Sequence, residues 1–142
     1  MPLSGPLRTE WLADGRQMRV LERVTYTDSA GRVWPVPVGF VTDGASIPQA
    51  LWSAVGSPFT GEYRIAAVLH DAAYADPGVK KDDADAMFRE CAIECGCSHL
   101  LAELVFEGVR AGGADAYAED QRKAFSAISD AQTVGNNSPQ SA

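Results

Sequence analysis

Thr60-Gly61-Glu62-Tyr63-Arg64-Ile65-Ala66-Ala67-Val68-Leu69-His70-Asp71-Ala72-Ala73-Tyr74-Ala75 decides how this chain folds. Thr60 is a capping residue type and Pro77-Gly78 is a stop, so the spacing predicts a helix from about Gly61 to Ala75. Tyr63, Ala67, His70 and Tyr74 then fall on one face, which is otherwise apolar through Ala66 and Ala67. A second helix is expected from Lys81 to Cys95, stopped at Gly96, with Asp85 on the same side as Phe88 and Ala92. A lone buried carboxylate costs several kcal/mol unless it is paired. Packing the two helices antiparallel would bring Asp85 opposite His70, giving the imidazole an orienting acid. Read more plainly, the same pair is a satisfied hydrogen bond in a core, and Tyr74 is a core aromatic with its hydroxyl at the rim.

Downstream, Ser98 caps a helix that is apolar at Leu100, Leu101, Leu104, Val105 and Val109 and fades at Gly112-Gly113. Ala114 to Ile128 forms a polar-faced helix, and the Ser/Asn/Gln/Pro/Gly-rich remainder, 129–142, is expected to be a flexible tail. Upstream the period changes to that of strands. Thr9 to Leu12 and Met18 to Tyr26 read as β, Asp28-Ser29-Ala30-Gly31 as a turn, and Val33 to Val38 as an edge strand or extended loop because of Pro35 and Pro37. Pro48 to Val55 is expected to make one short helix. The fold class is therefore α+β: a small N-terminal antiparallel meander followed by a packed layer of four to five helices, in one domain over 1–128.

Composition narrows the function. No run approaches the ~18 apolar residues of a membrane span. The first residues, Met1-Pro2-Leu3-Ser4-Gly5-Pro6, lack the basic and apolar regions of a secretory leader, so export is not expected. The net charge of -7 repels phosphate backbones and argues against nucleic acid as a partner. Cys91, Cys95 and Cys97 are odd in number and crowded together, unlike a disulfide framework, which favours a reducing compartment. With His99 they could offer soft ligands to zinc, but the spacing matches no common site, and small core hydrophobes are the expectation.

Three clusters remain: Gly39 to Pro48 with Thr42-Asp43-Gly44-Ala45-Ser46, Phe59 to Tyr63 running on to His70-Asp71, and Ala84-Asp85-Ala86-Met87-Phe88. In this order they resemble the domain-of-unknown-function 1353 family over about residues 7–110. That resemblance implies a phage or prophage origin. It also implies a protein of the virion, or of the host cytoplasm during assembly, with other phage structural proteins as partners. A more distant resemblance is to bacterial secreted phospholipases A(2), which carry an Asp-Gly-Cys-Ser loop, a His-Asp helix with Tyr three residues on, and a helix with Asp shortly before Phe. It implies His70 as the base, Asp85 as its orienter with Tyr74 nearby, and calcium held by Asp43, Asp71 and loop carbonyls such as that of Gly44. Ala45 and Ala67 stand where those enzymes have cysteines. Two functions follow from these likenesses: a particle component keeping the His–Asp scaffold for packing, or a calcium-dependent ester hydrolase acting on membrane lipid at the host envelope.

Overall fold

A computed structural model gives the architecture, and it describes residues 2–43 and 63–136. Five short strands come first: β1 (Thr9–Trp11), β2 (Met18–Val20), β3 (Val24–Thr27), β4 (Val33–Val36) and β5 (Val41–Thr42). Among the described residues four helices follow: α1 (Arg64–Ala75), α2 (Lys81–Glu94), α3 (His99–Gly112) and α4 (Ala114–Asn136). The α+β layout is the one expected, with antiparallel strands ahead of helices. The expected helix Pro48–Val55 and the Thr60 cap lie outside the described residues.

The strands form two small sheets rather than one meander. β1, β2 and β5 make a three-stranded antiparallel sheet, and β3 pairs with β4 as a separate hairpin. The run Met18 to Tyr26 is thus broken at Leu21–Arg23, where the chain leaves one sheet for the other. Pro35 is accommodated opposite Thr25 because β4 pairs with β3 alone, so the missing N–H removes no second ladder. Alternation in the hairpin is clean, with Val24, Tyr26, Trp34 and Val36 all buried. The turn between them is built by Asp28, whose Oδ1 accepts from the backbone N–H groups of Ala30 at 3.0 Å and Arg32 at 2.9 Å. Its Oδ2 accepts from Trp34 Nε1 at 3.0 Å. These bonds outweigh the effect of burial and hold the Asp28 carboxyl below its ordinary range.

α1 is the central helix. Every residue from Ala66 to Tyr74 is buried, and its alanines let neighbours approach closely on several sides. α2 and α4 pack on it, with β4 on a further side. Ser98 caps α3 as expected, its Oγ accepting from Leu101 N–H at 3.1 Å. α1 differs from expectation in having Tyr63 at its N-cap with no side-chain cap. α4 continues past Ile128 to Asn136, into the segment read as tail. Among the described residues, no helix is long and apolar enough to cross a membrane.

The α3–α4 corner depends on a missing side chain. A Cβ on Gly113 would lie 2.4 Å from Val109 O and 2.7 Å from the Tyr74 hydroxyl. Gly113→Ala should therefore destabilise the fold by about 1–3 kcal/mol, as overpacking does, measured by urea denaturation. An unchanged midpoint would show that the corner yields freely.

Candidate functional site

The site grows from the spacing on α1. His70 and Tyr74, one turn apart, both face α2, and Asp85 lies opposite them in the first half of that helix. His70 Nε2 is 2.6 Å from Asp85 Oδ1, and the Tyr74 hydroxyl donates to the same oxygen at 2.7 Å. Lys81 Nζ donates to Oδ2 at 2.7 Å and also to the carbonyls of Val109 and Arg110, each at 3.1 Å. His70 is 0% exposed and Asp85 1%. Around the imidazole sit Tyr74, with ring centroids 4.1 Å apart, and Phe88 at 5.3 Å.

Electrostatics fix the protonation states. Burial alone would raise the Asp85 pKa, but hydrogen bonds from His70, Lys81 and Tyr74 outweigh it and hold the carboxyl below its ordinary value. Burial depresses the His70 pKa more than Asp85 raises it, and the Lys81 charge acts in the same direction as burial. Tyr74 is pushed up by burial and by its bond to Asp85. The cluster at neutral pH is therefore an Asp85 anion with a neutral His70, whose Nε2 carries the proton that faces the carboxylate.

A second feature lies one residue further round α1. A cleft of about 340 Å³ is lined by residues including Gln17, Phe40, Thr42, Asp43, Asp71, Ala75, Asp120 and Lys123. Asp71 and Ala75 thus face the cleft while His70 and Tyr74, on the adjoining face, turn to α2. Thr42 Oγ1 donates to Asp71 Oδ2, tying β5 to α1. Burial raises the Asp120 pKa, helped by the charges of Asp43 and Glu119 and opposed by Lys123.

Of the residues singled out in sequence, His70, Asp85 and Tyr74 are brought together, and Asp43 and Asp71 share one cleft. Gly44 lies outside the described residues. The oxygen donors of Asp43 and Asp71 suit the hard-ligand preference of calcium. Among the described residues, however, no group of three or more His, Cys, Asp or Glu side chains is arranged to hold a metal ion. These two carboxylates would thus need further oxygens to complete such a site. The same result leaves Cys91, Cys95, Cys97 and His99 without a zinc arrangement, and Cys91 and Cys97 are buried in the core. Sequence reasoning missed Lys81, although its i,i+4 spacing to Asp85 was a usable signal. Asp120 and Lys123 carried none, being ordinary residues on a polar helix.

Fold and site together define an α+β chain built round a buried His–Asp–Tyr–Lys cluster beside an acidic cleft. The chain belongs to the family described as "Protein of unknown function (DUF1353)", whose model matches residues 18–109. Two similar proteins come from Sinorhizobium fredii (strain NBRC 101917 / NGR234). "Uncharacterized protein y4jT" is 46% identical over 69 residues, covering 48% of this chain and 20% of that protein. "Uncharacterized protein y4iH" is 37% identical over 89 residues, covering 62% of this chain and 37% of that protein. The chain therefore spans only a minor part of these curated relatives. No solved structure matches it.

The lowered pKa values set a pH dependence. A depressed folded pKa means that the unfolded chain binds more protons, so stability falls as pH falls. Stability should be full above about the ordinary 6.5 of histidine, decline below it as His70 resists protonation, and decline again below 3.8 through Asp85. Urea midpoints from pH 8 to pH 3 would measure this, and His70→Gln should lack the upper limb. Asp85→Ala, which strands three donors, should cost about 3–5 kcal/mol at pH 7.

Proposed function

We propose that the protein is a phage- or prophage-encoded ester hydrolase of phospholipase type, working with calcium on membrane lipid. The observation that carries the reading is the adjacency of two features on α1: an Asp85 oxygen shared by His70 Nε2 at 2.6 Å and Tyr74 at 2.7 Å, and, on the next face, a cleft holding Asp43 and Asp71. Held by Asp85 through Nε2, His70 would take a proton from water as the base. The Asp85 anion stabilises the imidazolium so formed, and the proton then goes to the leaving alkoxide. Tyr74 and Lys81 keep the carboxylate from turning. The depressed His70 pKa keeps the base neutral, and so ready, at physiological pH. Asp43 and Asp71 would hold calcium in the cleft, with loop carbonyls including Gly44. The chemistry calcium would supply there is polarisation of an ester carbonyl.

A second reading is favoured by one specific observation: His70 is 0% exposed and is not among the residues lining the cleft. In that reading the cluster is a packing device, and the protein is a virion component or is assembled into particles in the host cytoplasm. Its partners are other phage structural proteins. Exposed Leu100, at 81%, Leu104 and Phe125 would suit packing against such partners.

Purified wild-type protein in millimolar calcium should release fatty acid from dispersed phospholipid, and His70→Ala should lower the rate about 10²–10⁴-fold. Asp71→Asn should abolish any rise in Tm on adding calcium. Absence of turnover by the wild type, with the chain found by mass spectrometry in purified particles, would replace the hydrolase by the packing reading.

A further inference from the structure

Two cysteines sit at the C-terminal end of α2, Cys91 in its last turn and Cys95 just past it. Cys91 and Cys95 lie one turn apart with Sγ atoms 4.0 Å from each other, and none of the three cysteines is in a disulfide. Cys91 is fully buried, whereas Cys95 is only partly covered. Cys95 is also the C-cap of α2, with a non-helical ψ of 0°, and Gly96 follows it at φ +99°. The partly covered Cys95 sulfur is the one that peroxide can reach, while Cys91 sits in the core.

We propose that Cys91 and Cys95 are a peroxide-sensitive dithiol, with Cys95 the attacking sulfur and Cys91 the resolving one. Either sulfur can donate in the contact between them, so burial sets their roles. Cys91 lies in the core, where its contact with Cys95 and burial keep it a thiol, whereas Cys95 is only partly covered. The two sulfurs are thus unequal, as attack and resolution require.

The chemistry balances with hydrogen peroxide as oxidant. The Cys95 thiolate attacks one peroxide oxygen, an S–O bond forms, the O–O bond breaks, and the departing hydroxide leaves as water after taking a proton. Cys91 then attacks the Cys95 sulfur, the S–S bond forms, the S–O bond breaks, and a second water leaves with the Cys91 proton. Two thiols and one peroxide become a disulfide and two waters. In helical geometry the Cβ atoms at i and i+4 are about 5–6 Å apart, whereas a disulfide needs about 3.5–4.5 Å, so the last turn of α2 must open for the bond to form. The sulfurs must close from 4.0 Å to about 2.05 Å, and Cys95, at the helix end, is the one placed to move.

The test treats the full chain with stoichiometric hydrogen peroxide, blocks remaining thiols, and maps peptides by mass spectrometry. The expected product has lost two hydrogens, links Cys91 to Cys95, leaves Cys97 as an alkylatable thiol after unfolding, and reverts with dithiothreitol. Cys91→Ser should instead leave a Cys95 sulfenic acid trapped by dimedone, and Cys97→Ser should form the disulfide as the wild type does. Circular dichroism checks that each variant is folded. Oxidation of Cys95 no faster than that of a free cysteine, a disulfide made with Cys97, or crosslinking only between chains would overturn the proposal.

Discussion

The Asp85 carboxylate is the constraint on which the helical layer depends. An anion that is 1% exposed stays charged only if both oxygens are filled. Oδ1 is filled from α1 by His70 and Tyr74, and Oδ2 from its own helix by Lys81. Lys81 in turn takes the carbonyls of Val109 and Arg110 near the end of α3, where the negative end of the helix dipole favours a cation. One charge therefore fixes the azimuth of α1 against α2 and the position of α3 against both. A buried ion pair adds little net stability over a well-packed apolar core, yet losing one partner is severe. Its effect is to exclude other registers of three helices that alanines alone would let slide.

A second carboxylate on the same helix does the equivalent for the strands. Glu90 Oε1 accepts from the Ser29 backbone N–H at 2.6 Å and from the Tyr26 hydroxyl at 3.2 Å, and Oε2 accepts from Ser29 Oγ at 3.2 Å. The β3–β4 turn is thereby fastened to α2, and Trp34 and Val36 close over the apolar core. α4 is fastened from the other side. Gln121 Nε2 donates to the carbonyls of Tyr74 and Asp76 at the end of α1, and the Tyr117 hydroxyl donates to Val79 O. α1 is thus held by polar contacts along one side and at its C-terminal end, with small residues between.

What was legible in the sequence follows from period. His70, Tyr74, Asp85 and Phe88 could be placed because helical spacing fixes a face, and an acid on an apolar face demands a partner. The ends of α2 and α3 could be placed because Gly96 and Ser98 are strong local signals. The break between β2 and β3 shows in the sequence only as a lapse of alternation at Leu21-Glu22, and the change of sheet itself is decided by pairing partners far along the chain. The length of α4 was misread for the opposite reason: polar composition suggested a tail, while the backbone stays helical to Asn136. Asp120 and Lys123 become cleft residues only once α4 docks beside β5 and α1, which no local pattern encodes.

The closeness of the two functional readings has a physical origin. A general base and a packing histidine need the same support: an ionised, fully bonded carboxylate, a fixed tautomer and exclusion of bulk water. Asp85 meets each requirement, so the contact between His70 and Asp85 does not by itself separate them. What separates them is the other side of the imidazole, where a base must meet water and a substrate while a packing residue meets side chains. The acidic cleft opens one residue away, on the Asp71 face of α1, and Asp71 is held there by Thr42 from β5. α1 is the shared wall between the cleft and the cluster. Any movement that turned His70 toward the cleft would also break its bond to Asp85, so the enzyme reading requires substrate to come to His70 past Phe88 and Tyr74. His70 is held still, and the enzyme reading therefore turns on access to it.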